Sequence, residues 1–232
     1  WYPIGEARTL AILPLAHIKE ANRWIPRESK SLRPPLHEYQ SEAGRWNTIC
    51  LNCHSTGPLP NDHSSTNSPF NIDTQVAELG ISCEACHGPG QNHVTIHRNP
   101  GSAAAKTLSD PIVNPASLDH RLSSQICGSC HSARYVSRKI RNRPYHDPGQ
   151  EFTNNYRLGH SPREKMEPIL KAYPEKFPRP EDLNPMYDGH FWWDGMVRMS
   201  GREYSGLAQS ACHTKGELSC LTCHAMHQAA SI

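Results

Sequence analysis

The stretch Gly80-Ile81-Ser82-Cys83-Glu84-Ala85-Cys86-His87-Gly88-Pro89-Gly90-Gln91-Asn92-His93 sets two thiols ahead of an adjacent imidazole. It then turns a Gly-Pro-Gly corner and offers a second imidazole six residues after the first. The head of this stretch recurs. Eight of the nine cysteines fall into four units of one form: Cys50-Leu-Asn-Cys53-His54, Cys83-Glu-Ala-Cys86-His87, Cys127-Gly-Ser-Cys130-His131 and Cys220-Leu-Thr-Cys223-His224. Only Cys212 stands outside them. C-x-x-C alone is shared by zinc knuckles, redox dithiols and haem attachment, whereas C-x-x-C-H is the pattern of c-type haem attachment. His is about one residue in fifteen here, so four chance occurrences have odds on the order of 1 in 50,000.

The spacing has a chemical reason. Two thiols add to the two vinyl groups of one haem, and the two-residue linker matches the gap between those vinyls. The next residue then carries an imidazole to the iron, as in cytochromes c. Four covalently bound haems c are therefore expected, attached at Cys50 and Cys53, Cys83 and Cys86, Cys127 and Cys130, and Cys220 and Cys223. Their proximal ligands are His54, His87, His131 and His224. Zinc would need four ligands per ion from paired knuckles and would leave four regularly placed histidines unexplained. A disulfide framework belongs to shorter chains that are denser in cysteine.

Composition fits a chain organised around cofactors. Of 232 residues only 36% are hydrophobic, and 20 are proline; mean hydropathy is −0.67. An aliphatic core from such a chain would struggle to offset its conformational entropy. Haems are large apolar bodies, so the haem stack is expected to form the core and the haem-free chain to be largely unfolded. The formal charge of +2 falls to about −6 once eight propionates are counted, and each ferric centre returns about one positive charge. The run Arg134-Tyr-Val-Ser-Arg138-Lys139-Ile-Arg141-Asn-Arg143 is read as a partner for propionates rather than for nucleic acid, because the Arg fork matches carboxylates. No apolar run approaches membrane-spanning length, and no signal peptide is visible. Thioether attachment occurs outside the cytoplasmic membrane, which predicts an extracellular or cell-surface location, with the periplasm as the alternative.

The chain reads as one tetrahaem domain, residues 1–232, mainly α with much irregular coil and little or no β-sheet. Residues 1–45 form an N-terminal arm available for contact between subunits. Residues 46–131 carry three motifs on short helices, 132–219 form a motif-free wrapping segment, and 220–227 hold the fourth motif. Within the wrapping segment, residues 161–173 predict a helix, with Ser161 as cap, Pro162 at the first position and Glu164 three residues after the cap.

Each iron has two axial places and each motif fills one. His227 follows His224 by three residues, a span of at most about 11 Å. That is too short to pass around a porphyrin, so if His227 is a ligand it must bind the iron of a different haem. His93, beyond its Gly-Pro-Gly corner, also serves a neighbour more naturally than its own haem. His213 and His37 are further distal ligands, with His17, His146, His160 and His190 as additional candidates; His63, His97 and His120 read as ordinary polar residues. Axial places filled by His predict low reduction potentials and leave no open site, so no catalytic residues are assigned and conduction is favoured over catalysis.

The opening stretch resembles the haem-and-ligand element of multihaem cytochromes c related to hydroxylamine oxidoreductase, in which the His after Gly-Pro-Gly is a distal ligand. Pro35-Leu36-His37 before the first motif, and Ser200-Gly-Arg-Glu-Tyr-Ser-Gly-Leu207 before the fourth, are similar to the tetrahaem branch of that group, over most of residues 35–227. Within it, the chain resembles the filament-forming, extracellular outer-membrane cytochrome E type. The resemblance implies bis-His haems in alternating parallel and T-shaped stacks, with one ligand crossing between subunits. His17, in the segment of least resemblance, and His37 are the candidates for that ligand. Cys212 matches a cysteine often found at its place, without an assigned role. The expected partners are copies of the same chain, since a head-to-tail interface that does not close gives a filament; redox proteins or extracellular electron acceptors complete the list. A soluble periplasmic electron shuttle is the alternative. A nitrogen-oxide redox enzyme is a third reading, but it would need a five-coordinate haem and a departure from the standard motif.

Overall fold

The computed structural model describes residues 2–3, 8–26, 44–68, 71–136, 146–152, 156–158, 190–192 and 196–227. His37, His160, the expected helix at 161–173 and the basic residues Arg138, Lys139, Arg141 and Arg143 lie outside the described residues. The chain divides into two compact units, Trp1–Ile81 and Ser82–Ile232.

The first unit opens with β1 (Tyr2–Pro3) paired antiparallel to β2 (Leu10–Ala11). A hairpin follows, β3 (Leu15–Ile18) against β4 (Arg23–Pro26), with His17 opposite Trp24. Asn22 closes its turn at φ 44°, a left-handed conformation that Asn tolerates better than most side chains. The first haem motif runs through a π-helical turn, Trp46–Cys50, into α1 (Leu51–His54). Single π turns recur at functional sites. Beneath it Asn47 is fully buried and saturated. Its amide donates to Arg8 O and Thr74 Oγ1, while its Oδ1 accepts from Leu10 N–H. One buried side chain thus ties two separate segments, at residues 8–10 and at Thr74, to the motif. β5 (Ser55–Thr56) leaves the motif and pairs with β6 (Glu78–Leu79). An irregular ladder lies between them, with Leu59 bridged to Gln75 and Asp62 to Ile72.

The second unit carries the other three motifs. The second motif is α2 (Cys83–His87) itself, followed by α3 (Gln91–Arg98) and α4 (Ala103–Thr107). Between α2 and α3 Gly88 takes φ 83° and ψ 178°, a region open essentially to glycine alone. Glu84, inside the motif, accepts a hydrogen bond from Gly90 N–H at 2.7 Å and so braces the corner. A 3₁₀ turn at Pro115–Ser117 leads to α5 (His120–Gly128), whose cap Asp119 accepts from Arg121 and Leu122 N–H. β7 (Arg134–Val136) pairs with β8 (Tyr156–Leu158). α6 (Glu203–Leu207), α7 (Ala211–Thr214) and a 3₁₀ turn at Cys220–Thr222 complete the order. Tyr204 of α6 lies buried on Gly128 of α5, so closely that a Cβ at Gly128 would clash with its ring.

Helix and coil dominate, as expected, and among the described residues β-structure is limited to two-stranded ladders and isolated bridges. The hairpin at 15–26 is β-structure within the segment that the sequence reads as an N-terminal arm. Buried apolar residues among the described ones are few: Ala11, Leu51, Ile72, Ile126, Ala133, Phe152, Phe191 and Tyr204. Leu79, Met226 and Trp24 stand more than half exposed.

Candidate haem-attachment sites

A C-x-x-C-H unit wound into one helical turn points its two sulfurs and its imidazole the same way, because positions i, i+3 and i+4 share a face. The second motif has this form along the whole of α2. The third begins at Cys127 in the last turn of α5 and continues through the turn that follows it. The fourth rests on the 3₁₀ turn at Cys220–Thr222, whose Ser219 cap exchanges hydrogen bonds with Thr222. No two of the nine cysteines are joined in a disulfide.

The sulfurs of different motifs also meet. The Cys127 and Cys220 thiols are neighbours, and Cys86 is close enough to add to the electrostatic penalty on Cys127. Their proximity lowers the pKa of Cys220 to about 6 and pushes Cys127 well up. Burial raises Cys86.

Ring nitrogens show which face each imidazole offers. His87 donates from Nδ1 to Val113 O at 2.7 Å, and His213 from Nδ1 to Leu218 O at 2.7 Å. His131 donates from Nδ1 to Glu203 Oε2 at 3.1 Å, and His93 from Nδ1 to Asp110 Oδ2 at 2.9 Å. With Nδ1 holding the proton, Nε2 keeps its lone pair for a metal, the usual outer-shell arrangement of a ligating histidine. Paired thiols beside an Nε2-open imidazole are the donor set that a c-type haem requires, and the residues fit that group.

His87 and His227 face each other. Their ring centroids are 5.9 Å apart and their planes differ by 26°. Two imidazoles that hold one metal from opposite sides, each through a nitrogen about 2 Å away, have centroids about 6 Å apart. The two histidines, 140 positions apart in sequence, are brought together at this point.

The remaining expected ligands are placed as follows. His54 and His224 end or follow their motif turns with exposed side chains. His17 sits exposed on β3, donating from Nε2 to Asn22 Oδ1 at 3.2 Å and leaning on Trp24. His213 is buried, and its carbonyl accepts from His120 Nε2 at 3.0 Å. His146 is buried against Phe152, and burial lowers its pKa to about 4. Burial likewise lowers His190, assisted by Arg202. His97 had read as ordinary; it donates to the same Asp110 oxygen as His93, at 3.1 Å.

Two carboxylates had drawn no attention in the sequence. The hydrogen bond from His93 is the main reason that Asp110 titrates at about 2. Glu203 is also held low: burial opposes this, but the Gly201 N–H and His131 outweigh it. Neither carries a sequence signal, since Asp110 lies seventeen residues from its histidine and Glu203 seventy-two.

Among known proteins, residues 14–88 match the family described as cytochrome c554 and c-prime, about a third of the chain. The match extends back through His17, which the sequence reading had put in the segment of least resemblance. No curated protein sequence matches. The crystal structure of outer cell wall cytochrome OcwA is similar over 93% of this chain at 20% identity and a TM-score of 0.47, and the chain spans 38% of that protein's length. The recurring attachment motif and the family match over residues 14–88 support a multihaem c-type cytochrome.

Proposed function

We propose that the chain transfers electrons through four closely packed bis-His haems c, as the subunit of an extracellular conductive filament. The observation that carries the electron-transfer reading is the approach of His227 to His87. His227 is rooted three residues beyond His224 and approaches the imidazole of the second motif, so side chains from the second and fourth attachment segments would hold the same haem. Cys127 and Cys220 would add a second link by anchoring the third and fourth haems at neighbouring sulfurs. Each bound haem supplies a one-electron Fe(III)/Fe(II) couple. The residues supply proximity: a haem held by ligands from two attachment segments would lie close to its neighbour, and an iron held by two imidazoles would offer no place to substrate. The protein is accordingly a carrier and not an enzyme.

The filament and its extracellular setting are supported by the sequence resemblance around Pro35-Leu36-His37 and Ser200–Leu207. Among the described residues no helix is long and apolar enough to cross a membrane. His17, exposed on its hairpin, and His37 remain the candidates to reach a neighbouring subunit. Copies of the chain are the principal partners, and extracellular acceptors or redox proteins take the electrons.

Two measurements test this. His227→Ala should convert one haem of four from low-spin to high-spin in the absorption spectrum; four low-spin haems in that variant would refute the shared axial pair. Negative-stain microscopy of the purified protein should show long thin threads. Dispersed particles of monomer mass would remove the filament and leave the periplasmic shuttle.

A further inference from the structure

The prospective ligands fall into two classes by what their Nδ1–H meets. His87 and His213 donate to neutral backbone carbonyls, Val113 O and Leu218 O, each at 2.7 Å. His131 and His93 donate to carboxylates, Glu203 Oε2 at 3.1 Å and Asp110 Oδ2 at 2.9 Å. We propose that Glu203 and Asp110 are positioning residues that hold the haem centres of His131 and His93 at lower reduction potential than the centre of His87. The inference rests on the ligand assignment above.

Both carboxylates are exposed, but each is held at its second oxygen as well. The second oxygen of Glu203 accepts from Gly201 N–H at 2.7 Å, and Tyr204 N–H donates to His131 O at 2.9 Å, so α6 is tied to the third motif at two points. The second oxygen of Asp110 accepts from Ile112 N–H at 3.2 Å, and the oxygen that meets His93 also receives His97. Backbone donors therefore fix each carboxylate before it meets its imidazole. An imidazole whose N–H is shared with a carboxylate gains basicity and donates more electron density to its metal than one bonded to a carbonyl, and outer-shell partners tune metals in this way. The added negative charge further favours the ferric state. Both effects lower the potential.

The test is an optical redox titration of the fully loaded protein. Glu203→Gln and Asp110→Asn keep the shape of the side chain and remove its charge; each should raise one of the four reduction steps and leave the others in place. Glu203→Asp and Asp110→Glu should restore much of the original value. Glu217→Gln removes an exposed charge near the fourth motif and should move no step comparably. Unshifted steps in both amide variants, with four low-spin haems retained, overturn the proposal, as does an equal shift in Glu217→Gln. If an amide variant loses haem, the near-infrared charge-transfer bands of the unsubstituted protein decide. Carboxylate-bonded ligands should give a set at higher energy than carbonyl-bonded ones, and a single set refutes the distinction. A high-spin component in the unsubstituted protein removes the ligand assignment itself, and this inference with it.

Discussion

At the scale of the residue, one hydrogen bond decides what an imidazole offers. His87, His93, His131 and His213 all commit Nδ1 and leave Nε2 open, yet no feature of their immediate neighbours in sequence announces the partner. Gly128 is a second case. It occupies a variable position of the third motif, where any residue would satisfy the attachment pattern, but the Tyr204 ring covers its Cα. Tyr204 is 4% exposed and cannot swing aside. Gly128→Ala should therefore destabilise the loaded protein by about 1–3 kcal/mol, the usual cost of overpacking a filled site. The measurement is a denaturant titration, and Gly128→Ala combined with Tyr204→Leu should recover part of the loss. An unchanged midpoint in the single variant would show that the contact is not tight.

At the scale of the element, the short helices follow from their caps and from the motifs they carry. Ser102, Asp119 and Ser210 each accept backbone N–H groups of the turn that follows, which starts α4, α5 and α7 where polar residues precede helix formers. The Gly-Pro-Gly corner was legible for the same kind of reason: glycine alone takes the Gly88 conformation, and proline cannot extend the preceding helix. The β3–β4 hairpin was not legible. Its strands are four residues each, and its four-residue turn, Lys19-Glu20-Ala21-Asn22, lacks the Asn-Gly or Asp-Gly signal on which a short hairpin is recognised. Cross-strand pairing, such as His17 against Trp24, supplies what the turn does not declare.

At the scale of the whole molecule, only 36% of the residues are hydrophobic and 20 of 232 are proline, which leaves little for an aliphatic core. The haem-free chain should therefore show no cooperative thermal transition by circular dichroism, whereas the loaded protein melts sharply; a cooperative haem-free transition would mean that side chains alone suffice. The division into Trp1–Ile81 and Ser82–Ile232 sets the first motif in one unit and the other three in the second. The crowding described above belongs to that second unit, where Cys86, Cys127 and Cys220 converge and His227 meets His87.

The sequence by itself determined the covalent chemistry. Thiol spacing and the adjacent imidazole are local properties of the chain, so the number of attachment motifs, their type and the rule that His227, as a ligand, would have to serve another haem could all be read from bond lengths and reach. Only the tertiary structure decided which imidazole His227 approaches, which motifs bring their sulfurs near one another, and which histidines lean on a carboxylate rather than a carbonyl. Those relations join residues from 5 to 140 positions apart, as Leu218 to His213, Asp110 to His93, Glu203 to His131 and His227 to His87. They depend on how the turns between them close, and no local pattern of residues encodes that distance.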